Sequence, residues 1–253
     1  MVFQHSIFDL TGKVACITGA SAGIGLHLSN VLISHGVKVI GVARREKSLC
    51  QIAESLGKNY SYVAADLSEL GELQDVCNSV ENIFGSPDIL VNAAGVNTRE
   101  SASDVTSQGW EKTINLNLSS PFFMAQGFSA GMIQKGWGRV VNFASLQSFR
   151  AFKGGIAYGA SKGGVAQMTR AMAEAWSSQG VNVNAIGPGF FETELTRAVF
   201  QNSIRASQNA AQTCIGRNGE MSDLDGPILF LCSDASRYVT GQILMVDGGF
   251  TAK

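Results

Sequence analysis

Short apolar runs recur along the chain, each closed by glycine or a polar residue and most followed by a longer stretch with helical spacing. Seven runs read as strands: 13–18 (KVACIT), 37–42 (VKVIGV), 60–64, 88–95 (DILVNAAG), 139–145 (RVVNFAS), 181–189 (VNVNAIGPG) and 241–249 (GQILMVDGG). Apolar residues spaced three and four apart predict helices over 23–34, 46–56, about 70–84, 110–135 and 157–178. The runs are mostly apolar along their length, the pattern of strands buried on both faces. Strand–helix alternation of this kind predicts an α/β fold, a doubly wound parallel sheet of about seven strands with helices on both faces. No linker, repeat or low-complexity stretch interrupts it, so 1–253 reads as a single domain. The segment 192–223 breaks the rhythm: it follows the sixth strand, is mostly polar and only weakly helical. A long connection at the carboxyl end of a parallel sheet reads as a substrate loop or lid.

The first strand runs into TGASAGIG (Thr18–Gly25) and then into a helix. Gly19, Gly23 and Gly25, with Ile24 between the last two, allow a tight turn, close approach of backbone to a pyrophosphate, and packing of helix on strand. At the end of the second strand an acidic residue would select NAD. Here Ala43 is followed by Arg44 and Arg45, which suit a 2′-phosphate, and Ser21 adds a hydroxyl; NADP(H) is therefore favoured over NAD(H). The plainer reading is a solvated basic pair at a helix start. Asp66 and Leu67 follow the third strand, where the carboxylate would meet an adenine amino group. Asn92, Ala93 and Gly95 end the fourth, small enough to let backbone lie against an adenosine.

Ser145 closes the fifth strand, and Tyr158 and Lys162 stand four apart on one face of the helix that follows. An ammonium about 4 Å from a phenol, at an effective dielectric of about 20, favours the phenolate by roughly 4 kcal/mol, or three pKa units. That would carry the tyrosine from about 10 towards 7, poised for proton transfer. Ser145 would hydrogen-bond the oxygen that gains charge. The plainer reading is a half-buried ring with a lysine snorkelling over it.

Composition narrows the setting. Apolar residues make up 45% and charged residues 15% of the chain, and the net charge is −1, so nucleic acid is an unsuitable partner. Five cysteines without a CxxC pair read as free thiols of a reducing compartment. His5, His27 and His35 have no ligand spacing, and no metal is expected. The start lacks a basic, apolar leader and no run reaches membrane-spanning length, which predicts a cytoplasmic protein.

With these pieces in order the chain resembles the short-chain dehydrogenase/reductases along essentially its whole length, which implies a Rossmann-type fold binding NAD(P). The glycine pattern falls on Thr18, Gly19, Gly23, Ile24 and Gly25, and the strand-four motif on Asn92, Ala94 and Gly95. The catalytic tetrad falls on Asn117, Ser145, Tyr158 and Lys162. Pro188, Gly189, Phe191 and Thr193 follow the sixth strand, the last placed at the nicotinamide carboxamide. The resemblance implies that Tyr158 exchanges the proton and Ser145 polarises the substrate oxygen. It implies that Lys162 lowers the tyrosine pKa and holds the nicotinamide ribose, and that Asn117 positions a relay water. Two departures stand out: Ala93 replaces a second asparagine, and Ala22 stands where many NADP enzymes carry a basic residue.

Within the family, SLQS, NAIGPGFFETELT and DGPILFLCSDASRYVTGQ look most like the sugar-acid clade of gluconate 5-dehydrogenase and 2-deoxy-gluconate 3-dehydrogenase. Arg99 or Arg150 would pair a substrate carboxylate, with Leu146, Gln147, Phe152 and Phe190 lining the pocket. The expected activity is interconversion of a secondary alcohol and a ketone on a sugar acid or polyol. Alternatives are 3-oxoacyl-acyl-carrier-protein or broad carbonyl reduction and, in another class, a catalytically silent nucleotide-binding scaffold. The resemblance also implies a homotetramer or homodimer, paired through the long helices and carboxyl-terminal strands.

Overall fold

A computed structural model describes residues 6–253; His5 and the start of the chain lie outside the described residues. Seven parallel strands form one sheet in the order β3-β2-β1-β4-β5-β6-β7. They are β1 (Val14–Thr18), β2 (Lys38–Ala43), β3 (Tyr60–Ala64), β4 (Ile89–Asn92), β5 (Gly138–Phe143), β6 (Val181–Pro188) and β7 (Ile243–Val246). The helices are α1 (Gly23–Ser34), α2 (Glu46–Leu56), α3 (Leu73–Phe84), α4 (Ser107–Ile114), α5 (Ser120–Lys135), α6 (Ile156–Trp176), α7 (Arg197–Phe200), α8 (Ser203–Gln212) and α9 (Asp225–Cys232).

Successive residues of each strand face opposite sides, so each strand feeds two cores. From β1, Ala15 and Ile17 join Leu28, Leu32, Ile89, Val141, Ile186 and Leu231 on one side. Val14 and Cys16 join Leu90, Phe128, Met132, Val140 and Val183 on the other. That two-sided burial is why the runs are mostly apolar. The strand order reverses between β1 and β4, and a parallel sheet binds ligands at the carboxyl edge of such a point. Register aligns that edge: Thr18 lies beside Val42 and Asn92, and Asn92 beside Asn142.

Three elements differ from the sequence expectation. The helix expected over 110–135 starts earlier, at Ser107, where the Thr106 hydroxyl accepts the Gly109 N–H at 3.0 Å. It also widens into a π-helical stretch at Asn115–Ser119 before α5 resumes. Pro121 has no N–H to give to the carbonyl four residues back, which belongs to Asn117, so the regular ladder cannot run through this point. α9, not expected as a helix, packs Ile228, Leu231 and Cys232 onto the sheet. Its short apolar stretch with Pro227 has no helical period to read. The segment 192–223 holds α7 and α8, more ordered than its weak pattern suggests. Among the described residues no helix is long and apolar enough to cross a membrane. All five cysteines are free, with Cys16, Cys77 and Cys232 buried.

Candidate active site

A cleft of about 780 Å³ opens along the carboxyl edge of the sheet. Its floor is the turn between β1 and α1. Gly19 has φ +71°, and a Cβ there would lie 2.9 Å from the Ala94 backbone; one on Gly25 would lie 2.5 Å from the Gly19 carbonyl oxygen. Glycine is thus forced by contact at both positions. α1 begins with no side-chain cap and no acidic residue in its first turn, so its leading N–H groups are left for an anion. The Thr18 hydroxyl accepts the Ala94 N–H at 3.1 Å, tying β1 to the turn after β4. Ser21, Gly23, Ile24, Ala93 and Gly95 line the same cleft. An open glycine turn backed by a free helix amino end fits the diphosphate of a dinucleotide.

At one end stand the two arginines. Arg44 reaches Asp66 at 3.5 Å. Burial pushes the Asp66 carboxyl up, but hydrogen bonds from Ser68 and the Arg44 charge outweigh it and hold the group below its ordinary value. Leu67 beside it is buried at the cleft wall. Arg45 places Nε and Nη2 on the Ser21 hydroxyl, at 3.2 and 3.1 Å, and Nη1 on the Glu194 carboxylate, at 2.9 and 3.0 Å. The second arginine, rather than the first, therefore joins Ser21 at the glycine turn.

At the other end α6 brings Tyr158 and Lys162 against the end of β5. Lys162 is buried and donates from Nζ to the Phe143 carbonyl at 2.6 Å, while its own carbonyl accepts the Ser148 hydroxyl at 2.7 Å. The Ser145 hydroxyl accepts the Gln147 N–H at 3.1 Å and is hydrogen-bonded to the Tyr158 phenol. Asn117 is fully buried in the π-helical stretch. Its side chain accepts the Val96 N–H at 2.8 Å and donates to the Val96 carbonyl at 2.9 Å and the Ser161 hydroxyl at 3.1 Å. Its side chain is thereby committed to holding the turn beyond Gly95.

The expected drop in the tyrosine pKa is not found. Burial raises Tyr158 above its ordinary value, and the Ser145 hydrogen bond and the Arg99 charge offset this only in part. Lys162 does not pull the phenol down, because its Nζ sits 5.7 Å from the ring centre and is spent on the Phe143 carbonyl. Burial also lowers Lys162 itself, to about 8.

Arg99, Leu146, Gln147, Phe152 and Phe190 line the cleft near Tyr158. Arg99 adopts φ +56°, which non-glycine residues rarely do, and its Nη2 donates to the Leu195 carbonyl at 2.7 Å. Phe152, Phe190 and Phe250 form an aromatic cluster with ring centres 5.9–6.2 Å apart. Pro188, Gly189, Phe191 and Thr193 lead out of β6 along the wall. Three expected residues do not line the cleft: Asn117, fully buried and holding the turn beyond Gly95, and two more. Arg150 is exposed and does not line the cleft. Asn92 is buried behind it, donating to Asn142 at 2.9 Å and to the Pro121 carbonyl at 3.2 Å. Sequence reading missed Arg205, Gln208, Asn209 and Gln212, which face the cleft from α8. Their spacing, one side of a helix, lies in a stretch whose apolar pattern is only weakly helical.

The model of a family described as enoyl-(acyl carrier protein) reductase matches residues 19–251. A 2-dehydro-3-deoxy-D-gluconate 5-dehydrogenase of Escherichia coli is 38% identical over 98% of this chain and 99% of its own. A 3-oxoacyl-acyl-carrier-protein reductase of Vibrio cholerae is 35% identical over 95% of this chain and 98% of its own. Among solved structures, a gluconate 5-dehydrogenase of Burkholderia cenocepacia in complex with NADP and tartrate superposes with a TM-score of 0.93. It is 34% identical, covering 97% of this chain and 98% of that one.

Two outcomes test this geometry. Gly25→Ala should abolish dinucleotide binding in calorimetric titration while the circular dichroism spectrum stays native; retained affinity would show that the Gly19–Gly25 contact does not shape the cradle. Lys162 is the second case. Its folded pKa of about 8 lies below its ordinary 10.5, so the unfolded chain holds more protons between those values. Stability tied to this group is therefore present above about 10.5 and is lost as pH falls through about 8. Wild type should gain stability relative to Lys162→Met across that window in urea titrations, and parallel curves would contradict the burial argument.

Proposed function

The chain belongs to the short-chain dehydrogenase/reductase family, and we propose that it interconverts a secondary alcohol and a ketone on a sugar acid or polyol with NADP(H). The observation that carries this is one continuous cleft with a dinucleotide cradle at one end and Tyr158, Ser145 and Lys162 at the other. The relatives named for gluconate chemistry and the NADP-bound neighbour support both the substrate class and the cofactor.

Gly19, Gly23, Ile24 and Gly25 would hold the diphosphate, Asp66, Leu67, Ala93 and Gly95 the adenosine, and Pro188, Gly189, Phe191 and Thr193 the nicotinamide. Ser21, Arg44 and Arg45 would hold a 2′-phosphate, which is why NADP(H) is preferred. Asn92 acts from behind, by fixing β4 to β5. When bound, the cofactor gives or takes the hydride. Tyr158 gives its phenolic proton to the carbonyl oxygen in reduction and takes it back in oxidation. Its raised pKa keeps that proton in place in the free protein. Ser145 polarises the same oxygen. Lys162 supplies positive charge below its pKa of about 8 and passes a proton back towards Tyr158. The Asn117 carbonyl, which Pro121 cannot serve, is the place for a water in that relay.

Arg99 would meet the substrate carboxylate, and the polar side of α8 its hydroxyls; Leu146, Gln147 and Phe190 would shape the wall, with 192–223 as the lid. Four side chains able to hydrogen-bond and a cleft arginine suit a sugar acid better than an acyl chain. Arg150, exposed outside the cleft, keeps no substrate role. The protein would work in the cytoplasm as one domain, its thiols reduced. Exposed Phe123 on α5 and Ile156 on α6 offer apolar surface to further copies in a homotetramer or homodimer.

A panel of 5-ketogluconate and acetoacetyl thioester, run with NADPH and with NADH, tests the reading. We expect NADPH-dependent reduction of the keto acid, a loss of about 10²–10⁴-fold in kcat for Tyr158→Phe, and a raised KM for acids but not neutral ketones in Arg99→Ala. Faster turnover of the thioester would favour acyl reduction, the activity named for the Vibrio relative, and wild-type turnover in Tyr158→Phe would remove the acid–base assignment.

A further inference from the structure

Two arginines point into the cleft from opposite ends, and both are held by adjacent residues of one segment. Arg45 binds the Glu194 carboxylate through Nη1 at 2.9 and 3.0 Å, and Arg99 donates to the Leu195 carbonyl at 2.7 Å. This segment crosses directly over the glycine turn: a Cβ on Gly23 would lie 3.5 Å from Thr193. Residues 193–195 thus form a strap across the groove, fastened at the adenosine end by a carboxylate. Glu194 has no part in the chemistry proposed above, yet it occupies the guanidinium that would receive a ribose phosphate.

We propose that Glu194 is a built-in competitor for the cofactor 2′-phosphate, so that NADP(H), unlike NAD(H), binds by releasing the Glu194–Arg45 fastening of this strap while Thr193 stays at the nicotinamide. The inference rests on the reading of the cleft as an NADP(H) site and adds a specificity-determining residue to it. Arg45 keeps Nε and Nη2 on Ser21 and exchanges its Nη1 partner, a carboxylate of one negative charge, for a phosphate of nearly two. The exchange is easy because the pair is exposed, at 48% for Arg45 and 53% for Glu194, and exposed pairs contribute little. Two anions cannot share that guanidinium without repulsion, so Glu194 withdraws and loosens the strap that leads into α7 and α8. A cofactor without the 2′-phosphate leaves the pair intact.

Calorimetric titration of wild type and Glu194→Gln with NADPH and NADH at low salt tests this. The expected result is NADPH affinity tightened about three- to fivefold in the variant, the upper part of the range an exposed ion pair spans, with NADH affinity changed less than twofold. Tryptic cleavage after Arg197 should be faster for wild type saturated with NADPH than with NADH, and the difference should vanish in the variant. Unchanged NADPH affinity, or equal tightening for both cofactors, overturns the proposal while leaving the cofactor assignment in place. Wild type that binds neither cofactor removes the assignment and the proposal together.

Discussion

The buried contact from Lys162 Nζ to the Phe143 carbonyl is the constraint around which the reactive end of the cleft is built. It sets an ammonium against the last residue of β5 and so fixes α6 on the sheet edge. Ser148 doubles the tie by donating to the Lys162 carbonyl, and the Ser145 N–H completes it by donating to the Ser148 hydroxyl at 3.3 Å. Tyr158 lies one turn earlier on the same helix and is carried to its place by this docking. The cost appears in the lowered pKa of the lysine, since a charge is kept away from water for the sake of position.

The opposite end obeys a steric constraint instead of an electrostatic one. The turns after β1 and β4 approach so closely that Gly19 has no room for a side chain, and α1 packs so tightly that Gly25 has none either. Asn92 and Asn142, paired across β4 and β5, join Thr169 of α6 through a 3.0 Å bond from Asn142. One buried polar chain thereby connects the strand that carries the cradle to the helix that carries the acid–base group. Chemistry and cofactor binding share a scaffold through named contacts.

Much of this was legible in the sequence because burial on both faces leaves a strong mark. Every strand showed as an apolar run, and the glycines at 19 and 25 stood where only glycine fits. What stayed hidden depended on contacts between distant residues. The tyrosine pKa was misjudged because spacing alone supplies a lysine beside a phenol but neither the carbonyl that captures the amine nor the burial that opposes ionisation. Arg150 and Arg99 looked alike as sequence, and only the fold turns one outward and the other into the cleft. The pairing of Arg45 with Glu194 joins residues 149 positions apart and leaves no local trace. α9 was missed since a short, wholly buried helix has no polar side to give it a period.

The central claim is that Tyr158 keeps its proton in the resting protein and acts as an acid beside a lysine that titrates first. The ultraviolet phenolate absorbance of wild type minus that of Tyr158→Phe, followed as pH is raised without cofactor, tests it most directly. No Tyr158 phenolate up to the ordinary tyrosine value of 10.0 is the predicted result. A Tyr158 phenolate signal rising near about pH 7, the range of a strongly acidified tyrosine, would contradict it.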